Sequence, residues 1–283
     1  MDEKVKRSRK KLLIIWLILI AVIIAALVIV GAPDKEKTET ITETMRDGVL
    51  HETNRISFFG RTVNPALISA YIVSAALLLF ALIVRIFVIP KFRYVPGKFQ
   101  TVLEKAVEFF LNMAKTNSPH KTGFVAAYIF GAGVYIFFGT IFELFGIQAI
   151  TSGGEPITLS APLADINASI AMGVLSYLII LGAGIICGGA RGALGVLKDF
   201  SLPISMSFRL FGALLSGLLV TELVYYYISL SFVLPVIVGV LFTLLHALIQ
   251  TYVLCTLVSI FYGEAVEPKK KKDKNKITEE TKV

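Results

Sequence analysis

Charge is scarce in this chain: Asp, Glu, Lys and Arg make up 17% of its 283 residues, where a soluble domain carries roughly a quarter. With 55% hydrophobic residues and a mean hydropathy of +0.76, this excludes an ordinary soluble globule and points to a polytopic membrane protein. Cysteine is scarcer still. Cys187 and Cys255 both fall in or near apolar runs and lack disulfide or metal-ligand spacing, so neither a disulfide framework nor thiol redox chemistry organises the chain. No His-Glu-x-x-His pattern is present, which removes the commonest helical zinc site. No Gly-rich loop ends in Gly-Lys-Ser or Gly-Lys-Thr. The nearest approach, Gly188-Gly189-Ala190-Arg191-Gly192, has no preceding strand and reads as a turn at the inner end of a span. The chain is therefore expected to hold no nucleotide, cofactor or metal of its own.

Long apolar runs are abundant. Stretches of about 20 residues or more, enough to cross a bilayer as helix, occupy 12–31, 65–90, 123–147, 166–187, 201–231 and 236–262. The expected fold is an all-α membrane protein of about six transmembrane helices. If the N-terminus is cytoplasmic, segments 1–11, 91–122, 191–200 and 263–283 hold 21 of the 28 Lys and Arg, and the positive-inside rule then places both termini in the cytoplasm. This distribution also explains the net charge of +8 without nucleic acid. The basic start, apolar run and Gly31-Ala32 of 1–31 allow a signal peptide as well as an extra anchor, and the uninterrupted length of the run favours the anchor.

Residues 32–64 are rich in Thr, Glu, Asp and Lys and read as an external linker. Residues 65–262 form the membrane domain. Within it Arg85 lies about one turn from the inner interface, where it can snorkel. At 98–115, Phe99, Val102, Leu103, Ala106, Phe109, Phe110 and Met113 alternate with Lys98, Glu104, Lys105, Glu108 and Lys115 at helical steps. That pattern predicts an amphipathic helix on the cytoplasmic membrane surface or against a partner. The tail 263–283, with four lysines at 269–272, is a solvated segment near anionic lipid.

The chemistry-bearing residues concentrate in the last two spans, which a break at 232–235 joins as an antiparallel hairpin. Arg209 is a permanent cation within an apolar stretch, a placement that costs roughly 3 kcal/mol and marks ion pathways or pairs with an acid. Ser205, Arg209 and Ser216 share one side of their helix, and Gly212 and Ala213 keep that side small. On the returning helix Thr243, His246 and Gln250 fall on one stripe. Glu222 and His246 stand 11 and 13 residues from a turn near Val233, so similar depth predicts either a proton-exchanging pair or a structural hydrogen bond. Glu143 sits within an apolar run, and Asp165 is placed either to cap a helix or to line an ion entry.

Leu202-Pro203-Ile204-Ser205-Met206-Ser207-Phe208-Arg209-Leu210-Phe211-Gly212 and Gln250-Thr251-Tyr252-Val253 resemble subunit a of the F-type ATP synthase. Val95-Pro96-Gly97-Lys98-Phe99-Gln100 and Ala164-Asp165-Ile166-Asn167 match the same family, in order, within residues 57–265. The resemblance implies a stator subunit forming two half-channels against a rotating c-ring, beside a peripheral-stalk subunit b. It implies that Arg209 faces the ring carboxylates, Gln250 approaches it, and Asp165 and Asn167 lie near the external entry. The chain departs from the family at Ala213, Leu218 and Thr243, where Asn, an acid and a histidine are usual, and Glu222 and His246 stand nearby on the same helices. The connection 188–200 is also short for the family, and the 12–31 span is extra. The alternative, a secondary transporter with a solute site around Arg209, predicts internal repeats and broken helices that the sequence lacks.

Overall fold

A computed structural model describes residues 56–58, 61–150, 156–226 and 234–267. Six long helices account for most of them: α1 (Pro65–Ile83), α2 (Lys98–Asn117), α3 (Thr122–Ile141), α4 (Ile166–Leu197), α5 (Ser201–Tyr226) and α6 (Leu234–Val266). Four helical stretches, Pro65–Lys91, Thr122–Phe145, Ile166–Leu197 and Gly239–Val266, are long and apolar enough to cross a membrane. They correspond to four of the six spans read from the sequence. The fifth is α5, and 12–31 lies outside the described residues. The chain divides into two compact units. Residues 218–226 and 234–239, the end of α5 and the start of α6, belong to the smaller one, and all contacts described below lie within the larger.

Local chemistry sets the helix ends. Asn64 caps α1 by accepting from the Ala66 amide at 3.0 Å, and Pro65 at the first position loses nothing by lacking an N–H. At the other end α1 passes into a π turn at Val84–Val88 and a 3-10 turn at Ile89–Lys91. Pro90 supplies no amide and its ring crowds the carbonyl four residues back, so the helix widens just before it. Arg85, in that turn, is exposed. Asp165 caps α4, its Oδ1 accepting from the Asn167 amide at 2.9 Å and the Asn167 side-chain amide at 3.1 Å.

The end of the expected external linker carries order. Strands β1 (Ile56–Phe58) and β2 (Arg61–Val63) pair antiparallel, as do β3 (Gln148–Ile150) and β4 (Pro156–Thr158). Ile56 and Leu159 from these hairpins pack with Val73 of α1 and with Phe142, in a 3-10 turn after α3. The result is a small apolar cap at one end of α1 and α3.

The main core joins α2, α3, α4, α5 and α6. Phe110 of α2 enters a notch that exists because residue 133 of α3 is glycine: a Cβ there would lie 2.6 Å from the Phe110 ring and 3.0 Å from the Cys255 sulfur. Farther along, the Thr256 hydroxyl donates to the Met113 sulfur at 3.7 Å and the Asn117 side-chain amide donates to the Ser259 hydroxyl at 2.8 Å. The Asn117 carbonyl abuts Gly263. The second half of α2 is thus docked in a seam between α3 and α6. Its charged residues Lys98, Glu104, Lys105, Glu108 and Lys115 remain exposed, as the amphipathic pattern predicts. Tyr128 of α3 reaches α4, donating to Ser176 at 2.7 Å while Ser176 donates to the Met172 carbonyl at 2.8 Å.

The Gly188-Gly189 turn is a reversal inside α4. Gly189 adopts φ 57° and ψ −146°, a conformation open essentially to glycine alone. The chain folds back so that Gly192 lies on the Gly184 carbonyl and Val196 on Gly184, with the Tyr177 hydroxyl donating to the Val196 carbonyl at 3.4 Å. The connection that is short in sequence is therefore a helical return laid along α4.

Candidate functional site

Each long helix of the larger unit has one packed and one open side, and on α5 the two differ in chemistry. Pro203, Met206, Ser207, Leu210 and Leu214 are buried, whereas Ser205, Phe208, Arg209, Gly212 and Ser216 are exposed. The steps of three and four residues put the exposed set on one stripe. This stripe contains the serines and the arginine that the sequence grouped together. Among the described residues nothing in the chain hydrogen-bonds or ion-pairs with the Arg209 guanidinium. Beside it, a Cβ at Gly212 would meet nothing within 4 Å, so the surface there is open and close approach is unobstructed.

α6 lies alongside in antiparallel register. Gly217 of α5 faces His246, with 3.5 Å between an added Cβ and the imidazole Nδ1. Leu202 and Phe261, equally displaced in opposite directions, line a common cleft. This register puts Ala213 level with Gln250 and Arg209 level with Leu254. Arg209 and Gln250 are then about 6 Å apart along the helix axes, one turn. Gln250 is 6% exposed and turned into the packing, while Arg209 points out. Thr243 and His246 are half-buried between these extremes, and the His246 ring lies 5.8 Å from that of Phe242. The stripe of Thr243, His246 and Gln250 therefore borders α5 instead of facing outward with Arg209.

Asp165, Asn167 and Glu143 lie on other elements than this stripe. Glu222 is on α5, five residues beyond Gly217, and its side chain lies outside the described residues, so the pairing with His246 does too. Asp165 is partly exposed and Asn167 exposed at the start of α4, joined to each other in the capping arrangement. Glu143 is half-buried in the 3-10 turn Phe142–Phe145, which Gly146 ends at φ 58°. Among the described residues no group of three or more His, Cys, Asp and Glu could hold a metal ion. Cys255 is buried and donates its S–H to the Ile129 carbonyl at 3.2 Å, while Cys187 is exposed.

Two carboxylates escaped the sequence reading. A cleft of about 200 Å³ opens between the returned end of α4, the start of α5 and the end of α6, and Asp199 and Glu264 both line it. They are 65 residues apart in sequence, and only the reversal at Gly189 brings their elements together. Gly217 was also missed as the residue against which His246 rests. Its absent side chain carries no hydropathy signal.

The open arginine stripe, the paired last helices and the four apolar helices coincide with a family match. A model of the family described as ATP synthase A chain matches residues 67–263, well over half of the 283 residues and all six helices but for their outermost turns. The chain belongs to the ATP synthase A chain family: it is an integral membrane protein of ion transport, the a subunit of the F-type ATP synthase membrane sector.

Proposed function

We propose that the exposed stripe of α5 is the surface past which a rotating c-ring carries its ion-binding carboxylates, with Arg209 discharging each one between two half-channels. The observation that carries this reading is the guanidinium itself: exposed, unpaired among the described residues, and flanked by Ser205, Gly212 and Ser216 on a helix whose other side is packed. A ring carboxylate about 4 Å from that charge would gain roughly 4 kcal/mol at an effective dielectric of 20, a factor of about a thousand toward the ionised form. An arriving ion is released as the carboxylate turns to the arginine. Because guanidinium stays charged at any working pH, the same group bars a direct leak between the half-channels. The driving force is about 2.3 kcal/mol per charge per 100 mV, so several ions cross for each nucleotide made elsewhere in the complex.

The external half-channel is assigned to Glu222 and His246, with Asp165, Asn167 and Glu143 toward the entry and Thr243 and Gln250 along the α5–α6 border. The partners in this reading are the c-ring, against α5, and the peripheral-stalk subunit b among the remaining subunits. The membrane is of the bacterial inner type, and both termini are cytoplasmic if 12–31 is a retained span. The test is ATP-driven ion pumping by the complete complex in vesicles. Arg209→Ala is expected to abolish pumping with the complex still assembled, and Arg209→Lys to be severely impaired because an ammonium can lose its proton and lacks the planar fork. Parental pumping by Arg209→Ala would refute the proposal.

A further inference from the structure

At the crossing of α4 and α5 the two backbones are closer than side chains would allow. A Cβ added at Gly173 would lie 2.9 Å from the Pro203 carbonyl oxygen and 3.1 Å from the Ser207 amide nitrogen, with the Ser207 hydroxyl nearer still. The nearest of the three is the Ser207 side chain and the other two are backbone, so removing the hydroxyl relieves the tightest contact and the backbone contacts remain. Ser207 is 5% exposed and its hydroxyl donates to the Pro203 carbonyl at 2.6 Å, which folds the side chain along its own helix. Met206 and Leu210 beside it are each 1% exposed and hold this side of α5 against the core. Arg209 follows Ser207 by two residues, about 200° around the helix, and points the other way. The Gly173 crossing is the back of the segment whose front carries the guanidinium.

We infer that Gly173 is a positioning residue for Arg209: by having no side chain it sets how closely α5 approaches α4, and hence how far the arginine projects. The inference rests on the Arg209 reading proposed above. A methyl at position 173 must recover ordinary contact, 3.4 Å or more, from 2.9 Å. The relief available is to move α5 outward, in the direction Arg209 already points, or to rotate it. Either alters the distance at which an arriving charge meets the guanidinium, and displacements near 1 Å at a reacting centre cost up to about 100-fold.

The experiment uses the complete complex in vesicles, with ATP-driven pumping expressed per assembled complex and assembly followed by co-purification. Gly173→Ala is expected to lower pumping about tenfold, and Gly173→Val to fall to the level of Arg209→Ala. Ser207→Gly alone should stay within about twofold of the parent, and combined with Gly173→Ala it should restore pumping about threefold over the single variant. That rescue separates positioning from a general packing defect, which a helix glycine would worsen. A double variant no better than Gly173→Ala overturns the inference. Parental pumping by Gly173→Ala beside an inactive Arg209→Ala overturns the inference alone, whereas parental pumping by both removes the arginine reading as well. If Gly173→Ala does not assemble, Ser207→Thr decides, since it brings one methyl to the crossing from the other helix. A severalfold loss supports the inference, and parental pumping overturns it.

Discussion

The seam around Phe110 and the open stripe around Arg209 are built from the same materials, a glycine and a large side chain, to opposite ends; in the seam the two come from different helices, on the stripe from one. In the seam Gly133 makes a notch, Phe110 fills it, and Thr256, Asn117 and Ser259 find partners in the chain. On the stripe Gly212 makes an equal space that nothing fills, and Arg209 has no partner among the described residues. Buried polar groups normally find partners, and cations within spans normally face a bundle interior or an aqueous path. A region that satisfies itself supports; one that leaves a charge and a gap is where the proposed ring contact falls.

The comparison is broken most severely from the packed side. Gly133→Val inserts two branches where the Phe110 ring already stands, and overpacking on this scale costs about 3 kcal/mol. We expect the purified complex to lose the subunit or to melt well below the parent, measured by yield and thermal stability. Gly133→Val with parental yield and melting would show that the seam can open.

On the open side, Gly212→Leu should do the reverse. It meets nothing in its own chain, so assembly and stability should stay within about 0.5 kcal/mol of the parent, while pumping falls sharply because an approaching helix meets the added bulk. Parental pumping by Gly212→Leu would mean that nothing comes close to this face.

A smaller effect is expected at Glu222 and His246, the proposed external pair. If they share one external path, Glu222→Gln and His246→Ala should each slow turnover severalfold, and the double variant should lose less than the product of the two because coupled sites are non-additive. Should sodium be the coupling ion, the effect appears as a changed sodium dependence. Unaltered turnover and ion dependence in both single variants would move the entry to Glu143, Asp165 and Asn167. The smallest effect is expected at Asp165, where two roles can be separated. Asp165→Asn keeps an acceptor for the Asn167 amide and should preserve the helix start, whereas Asp165→Ala loses the cap and about 1 kcal/mol. A fall in turnover by Asp165→Asn at parental stability would assign the carboxylate charge to the ion path.

Membrane helices were legible because apolar length is a local property, and the stripe of Ser205, Arg209 and Ser216 was legible because helical period is as well. The turn at Gly188-Gly189 was visible for the same reason, but its outcome was not: that 190–197 lies back along α4 depends on Gly184 and Gly192, which carry no hydropathy signal. The amphipathic pattern of 98–115 gave α2 its faces without naming the occupant, since Phe110 meets Gly133 and Cys255 only through the tertiary fold. The cleft with Asp199 and Glu264 was hidden because both acids lie near helix ends, where charge looks like ordinary solvation. Gly173 and Gly217 were unreadable in principle, because what each contributes is the room it leaves.

The reversal at Gly189 also constrains how the chain enters the membrane during synthesis. Eight residues of helix, 190–197, measure about 12 Å, less than half of a hydrocarbon core of about 30 Å. They are too short to be recognised and integrated as a span of their own. The segment must therefore be delivered attached to α4, with α5 starting four residues later.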